Sequence, residues 1–350
     1  MDGDNVLDRV LFIGPSVKGR GGMEELGRLY ISNFENAVYL PTNSCRGTLA
    51  GLVVLAGIVC RLPLYRLQGK SLMHIHMASG KSFFRKAAVA ILGRMIGFKI
   101  LIHIHAGDFP DFVKKATRPI VKTGLAPAHC VIVLSDYWRK YFTDNLGLKN
   151  VSVLPNMVES GMSSKEKENR SKTRFLYLGV LTRDKGVDTL VRAYKIVAEC
   201  LKDKTELIIA GTGFLEQELK EFVGREITGG KVYFTGWVNH EERDCLLEQS
   251  DIIVLPSLFE CQPMSLLEGM AAGCGIVATR IGGVPDIVRD NENGFLVEPG
   301  DVKGVADAMM RYVDNRSIVS KHGIISKKIL EQHLPENVKK NLIKIYEGIN

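Results

Sequence analysis

Apolar runs of about six residues alternate with longer helical stretches along most of this 350-residue chain, and that alternation restricts the fold more than any other feature. Strand candidates in the first half are RVLFIG (9–14), SLMHIH (71–76), KILIHIH (99–105) and CVIVLS (130–135). In the second half they are RFLYLG (174–179), ELIIAG (206–211), KVYFTG (231–236), DIIVLP (251–256) and GIVATR (275–280). Near-continuous apolar strands separated by helical patterns read as βαβ units with parallel sheets. Between the two sets lies ESGMSSKEKENRSKT (159–173), polar and without apolar periodicity, which reads as a linker. A chain of this length is too long for one comfortable core. The expectation is therefore an α/β protein of two Rossmann-like domains, 1–158 and 174–330, joined by 159–173. The helical, basic segment 331–350 is assigned to neither domain by its composition, and packing back on the first is one arrangement open to it.

With 45% hydrophobic and 24% charged residues, the composition is that of an ordinary soluble protein. The formal charge of +7 favours acidic partners such as phosphorylated ligands or an anionic membrane surface, and is too scattered to argue for nucleic acid. Seven cysteines, an odd number with no C-x-x-C pair, argue against a disulfide framework and a zinc site, and for a reducing, cytoplasmic setting. MDGDNVLDRV lacks the basic and apolar regions of a signal peptide. LAGLVVLAGIVC (49–60) falls short of the roughly 20 residues that span a membrane, so a buried helix is expected there.

Several strand-to-helix junctions carry residues suited to binding anions. In GPSVKGRGGMEEL (14–26) glycines lead into an amphipathic helix, whose free N–H groups could meet a phosphate. AGTGFLEQEL (210–219) resembles a dinucleotide fingerprint but has Glu216 where a third glycine is required, and no G-x-x-x-x-G-K-[ST] occurs. In LGVLTRDKGVDTLVRAY (178–194), Arg183 and Lys185 stand between a strand and a helix, where two cations could clamp a diphosphate. The HIH runs at 74–76 and 103–105 each put two histidines on one face of a strand; no carboxylate or cysteine pattern beside them supports a zinc site, and His105 is the one best placed to reach a cleft. In FECQPMSLLEGMAAG (259–273), Glu260 lies on a loop after a strand, Pro263 suits a first helical turn, and Glu268 follows inside the helix.

Taken together, these residues resemble the GT-B glycosyltransferases of family 4, the group 1 type. Glu260 and Glu268 match that family's E-x7-E motif, and GGMEEL, VLPN (153–156), DKG, AGTG, FTGWV, IGGVPDIV (281–288) and NGFLV (293–297) follow in family order. The resemblance covers nearly the whole chain, most tightly 174–300. It implies a GT-B fold, with a C-terminal domain for a nucleoside-diphosphate sugar, an N-terminal domain for the acceptor, no cofactor and no metal. It also implies retention of anomeric configuration, in bacterial surface polysaccharide assembly. Catalytic roles fall on Glu260 (the transferring sugar), Lys185 (the leaving diphosphate) and His105 (sugar and phosphate). Donor binding falls on Gly21, Gly22, Arg183, Gly211, Gly213, Val238, Met264, Ser265 and Glu268, the last holding the ribose hydroxyls and Val238 the base.

Val180 departs from the arginine that the family commonly has before its K-G, and Asp286 stands where glutamate is usual. The first departure motivates an alternative: a non-catalytic GT-B protein that binds glycans or serves as a partner subunit. On the acceptor side, SGKSFFRKAAVAILGRMIGFK (79–99) reads either as a helix packed on the sheet with a basic outer face or as an amphipathic helix that contacts an anionic membrane, as an enzyme acting on a lipid-linked glycan at the inner face would.

Overall fold

The structure is a computed structural model that describes residues 4–19, 21–34, 37–42, 48–159 and 171–349, with the side chains of 4, 5, 48–50 and 52 outside the description. The chain divides into two units, 1–157 together with 335–350, and 158–334. Most of the polar stretch 159–173 lies outside the described residues.

In the first unit, β1 (Val10–Gly14), β2 (Val38–Pro41), β3 (Leu72–Met77), β4 (Lys99–Ile104), β5 (Cys130–Val133) and β6 (Val151–Val153) form a parallel sheet in the order β2-β1-β3-β4-β5-β6. In the second, β7 (Thr173–Leu178), β8 (Thr205–Ala210), β9 (Lys231–Gly236), β10 (Ile252–Leu255), β11 (Gly275–Thr279) and β12 (Phe295–Val297) give β12-β11-β10-β7-β8-β9. Both are doubly wound α/β sheets. The order reverses between β1 and β3 in one and between β7 and β10 in the other, and ligands of such sheets bind at the carboxyl ends of the strands flanking that reversal.

Burial explains why these segments are strands. All of β1, β3, β5, β10 and β11 is buried, as strands covered by helices on both faces require, whereas the edge strand β9 alternates between exposed and half-buried positions. The Val187–Leu201 helix covers the second sheet with Val187, Leu190, Val191, Tyr194 and Val197, a spacing that puts all five on one stripe.

Two expectations are corrected. The 49–60 stretch does lie in a helix, Thr48–Leu67, but that helix is not buried: Ile58 and Leu62 are covered while Val53 and Leu67 are 72% and 85% exposed. Its apolar residues run all round the helix, and packing covers only one stripe of it. The Gly80–Met95 helix packs on the sheet, as one of the two readings had it, but its outer face is only partly basic, with Lys81 and Arg94 exposed and Arg85 half-buried. Lys86 turns inward and is buried, and the outward stripe consists of Phe84, Ala88, Ile91 and Met95, flanked by Lys81 and Arg94. No helix among the described residues is long and apolar enough to cross a membrane.

Candidate functional site

The second unit gathers the predicted residues at its reversal point. The loop after β7 carries Val180, Arg183 and Lys185, and the loop after β10 carries Ser257 and Glu260. Three contacts lock these loops together. The Leu258 N–H donates to the Asp184 carbonyl at 2.7 Å, Lys185 Nζ lies 2.7 Å from Glu260 Oε1, and Gly186 presses on Pro256 so closely that a Cβ would sit 1.9 Å from its carbonyl oxygen. Gly186 also holds φ at 64°, in the left-handed region that favours glycine. Ser257 Oγ donates to the same Glu260 oxygen at 2.8 Å, and Thr279 Oγ1 holds the Ser257 carbonyl at 2.5 Å. Glu260 is thus a buried carboxylate with one oxygen doubly engaged, while its other oxygen has no partner among the described residues. An ammonium has three N–H donors, and Lys185, a third exposed, spends one of them on Glu260.

The Met264–Ala271 helix begins directly after this loop. No side chain caps it, since Pro263 occupies the cap position, so the amides of Met264 and Ser265 have no side-chain acceptor and the helix offers about half a positive charge there. Glu268, on the same helix, is buried and paired with Arg243 Nη1 at 3.0 Å. Arg243 comes from the His240–Gln249 helix, which starts in a capping box of Asn239 and Glu242 just after Val238. Gly211 and Gly213 pack on the loop after β7, where Cβ atoms would lie 1.8 Å and 2.2 Å from the carbonyl oxygens of Gly179 and Leu181. Arg183 is exposed. Val180 is 42% exposed, and its carbonyl accepts from the Tyr177 hydroxyl at 2.8 Å.

The remaining predicted residues belong to the first unit. Gly21 caps the Gly22–Asn33 helix, and the preceding loop is held by the Arg28 guanidinium, which donates to the carbonyls of Val17 and Gly19. His105 follows β4, and its Nε2 lies 3.0 Å from His76 Nδ1. Burial and the neighbouring His103 and His74 push its pKa well below the ordinary histidine value, so the imidazole is neutral.

Sequence reasoning therefore brought Lys185, Arg183, Glu260, Met264, Ser265 and Glu268 to one unit, and missed Ser257, Thr279, Arg243 and Tyr177. Ser257 ends an apolar run and could have been noticed. Arg243 carried no signal, since its partner is 25 positions away in sequence.

Comparison with known proteins agrees with this architecture. Residues 161–329 match the family described as Glycosyl transferases group 1. The 2-deoxystreptamine N-acetyl-D-glucosaminyltransferase of Niallia circulans is 27% identical over 250 residues, 68% of this chain, which spans 63% of that relative. The UDP-Gal:alpha-D-GlcNAc-diphosphoundecaprenol alpha-1,3-galactosyltransferase of Escherichia coli is 26% identical over 318 residues, 84% of this chain and 79% of the relative. Among solved structures, HepE of Anabaena in complex with UDP-glucose superposes with a TM-score of 0.79 at 17% identity, covering 97% of this chain and 99% of that one. The two doubly wound units are the GT-B fold.

Proposed function

We propose that this chain, whose residues 161–329 match group 1 glycosyltransferases, is a retaining, family 4 enzyme moving sugar from a nucleoside diphosphate to a glycan or lipid-linked acceptor. The observation that carries this reading is the interlocked pair of loops at the reversal point of the second sheet. There Lys185, Glu260 and the uncapped start of the Met264–Ala271 helix lie on adjoining loops. Lys185 and the amides of Met264 and Ser265, assisted by Arg183, take the diphosphate. Glu268, already oriented by Arg243, accepts from the ribose hydroxyls. Glu260 turns its unengaged oxygen to a sugar hydroxyl, Val238 meets the base through its main chain, and Gly211 and Gly213 shape the loop beneath the donor.

In the reaction, the bond from the anomeric carbon to the phosphate oxygen breaks and a bond to the acceptor oxygen forms on the same face. The acceptor's proton passes to the leaving phosphate oxygen. Charge grows on the diphosphate as this happens, and fixed donors aimed at it are worth several kcal/mol, about 3–4 for a single well-placed donor. The family resemblance alone assigns His105, Gly21 and Gly22 to sugar and phosphate, and the first unit to the acceptor. No metal or cofactor enters this scheme. The relative named for a diphosphoundecaprenol-linked sugar supports a lipid-linked acceptor, and one named for teichuronic acid biosynthesis supports bacterial surface polysaccharide assembly; a cytoplasmic enzyme working at the inner membrane face is part of the same proposal. The apolar stripe of the Gly80–Met95 helix, with Lys81 and Arg94 beside it, is the membrane contact.

The exposed Val180 favours one second reading, a GT-B protein that binds glycans without catalysis. Calorimetry with UDP, GDP and ADP separates the two. One nucleotide should bind at micromolar concentration, and Glu268→Ala should weaken it at least tenfold. If none binds, the transferase reading is lost.

A further inference from the structure

The first unit holds four histidines in a block, of which His105 serves the proposed transfer and His74, His76 and His103 have no part in it. β3 and β4 pair in register with His76 opposite His103, and strand alternation puts His74, His76, His103 and His105 on one face of the sheet. His74, His76 and His103 are buried under Phe12, Tyr30 and Tyr346, and the imidazole rings of His74 and His76 stack 4.7 Å apart. Three hydrogen bonds engage five of the eight ring nitrogens: His74 Nδ1 with the Tyr346 hydroxyl at 2.8 Å, His74 Nε2 with His103 Nδ1 at 3.2 Å, and His76 Nδ1 with His105 Nε2 at 3.0 Å. Of the other three, His76 Nε2 and His105 Nδ1 are buried without a hydrogen-bond partner among the described residues, and His103 is also hydrogen-bonded to the Leu154 backbone.

Proton counting sharpens the point. A neutral imidazole has one N–H and one lone pair, and each bond between two imidazoles consumes one of each. The outer nitrogens of the His76–His105 pair must therefore be one N–H and one bare lone pair. A core assembled only for packing would have its polar atoms satisfied. One ring nitrogen from each of His74, His76 and His103 lies within 4.8 Å of the others.

We propose that His74, His76 and His103 form a zinc(II) site that joins β3 to β4 inside the first unit. Three imidazoles with no carboxylate suit zinc and disfavour calcium or magnesium, which take oxygen ligands. Zinc–nitrogen bonds of about 2.0–2.1 Å bring ligand atoms to roughly 3.3 Å apart, so the triad closes on the ion through small ring shifts. The His74–His103 separation of 3.2 Å already matches one edge of that figure. The Tyr346 hydroxyl on His74 Nδ1 is the kind of outer partner that fixes a ligating imidazole. With Nδ1 of His76 engaged by His105, ligation falls to its Nε2, which loses no hydrogen bond.

The test uses the full chain without a histidine tag, stripped with a chelator and titrated with Zn²⁺ alone by calorimetry and with Co²⁺ by absorption. One equivalent should bind at submicromolar Kd and raise the melting temperature by several degrees. The Co²⁺ form should show tetrahedral d–d bands and no thiolate charge-transfer band. The latter band would put the metal on a thiol, such as the exposed Cys60, Cys200 or Cys245, and overturn the proposal. So would a folded wild type that takes up no metal, or a folded His76→Gln/His103→Gln variant that binds as the wild type does. Should that variant fail to fold, Tyr346→Phe keeps the ligands and removes their outer partner. It should weaken zinc at least tenfold, and unchanged affinity sinks the idea. Nucleotide binding by the second unit reports independently on the transferase reading.

Discussion

Gly186 concentrates several demands on one residue. It holds a left-handed backbone, leaves no room for a Cβ beside Pro256, and follows directly on Lys185. Alanine there meets backbone strain of about 1–2 kcal/mol from the left-handed conformation, plus displacement of the loop after β10. We expect Gly186→Ala to cost the second unit roughly 2–4 kcal/mol, as large single-site losses at strained positions do. Urea unfolding read at Trp237 in a Trp138→Phe background measures it, and a loss under 1 kcal/mol would show that the two loops are not interlocked as described. At this scale the sequence was most informative where chemistry is local. Glu260, Pro263 and Glu268 could be placed from spacing alone, because a strand, a loop and a helix fix their positions. Ser257 on Glu260, Thr279 behind it and Arg243 on Glu268 were not legible, since each depends on how separate elements pack. The inward turn of Lys86 has the same origin.

Elements were legible in proportion to their burial. The nine apolar runs are all strands, and the three strands that no run announced, β2, β6 and β12, are sheet edges. An edge strand is short and half-covered, with VSV in β6 and FLV in β12 leaving no apolar run to recognise. The Thr48–Leu67 helix errs in the opposite direction, since a stretch apolar enough to be core is largely exposed. Beside it, the Gly80–Met95 helix presents Phe84, Ile91 and Met95, 49%, 41% and 78% exposed, at helical spacing. An apolar stripe flanked by lysine and arginine binds anionic bilayers through area and charge together. The chain should therefore sediment with vesicles of anionic phospholipid at low salt, and Phe84→Ser/Ile91→Ser/Met95→Ser should remain in the supernatant. Equal sedimentation of that variant would remove this helix from the membrane contact.

At the scale of the whole molecule, the first unit contains the two ends of the described sequence and the second is inserted between them. The Pro335–Glu347 helix buries Val338, Leu342 and Tyr346 completely. Three such side chains are worth roughly 1.5–3 kcal/mol each. Their sum is comparable to the whole stability of a typical domain, about 5–15 kcal/mol. A chain ending at Leu334 should accordingly lose protease resistance in the first unit while 171–334 stays protected. Resistance retained throughout would show that the helix is dispensable. Composition left this segment unassigned because its apolar positions fit any sheet, and contacts distant in sequence, such as the Tyr346–His74 hydrogen bond across 272 positions, show where it goes.

That insertion also sets an order in time. A ribosome makes residues 1–157 before the second unit, but the helix that completes their packing only after it. At about 5–20 residues per second, the interval is on the order of ten to forty seconds. Meanwhile the second unit, contiguous in sequence, can finish on its own. Of the two units, the one begun earlier is thus completed later, and through that interval the surface awaiting Val338, Leu342 and Tyr346 is the one a chaperone would have to shield.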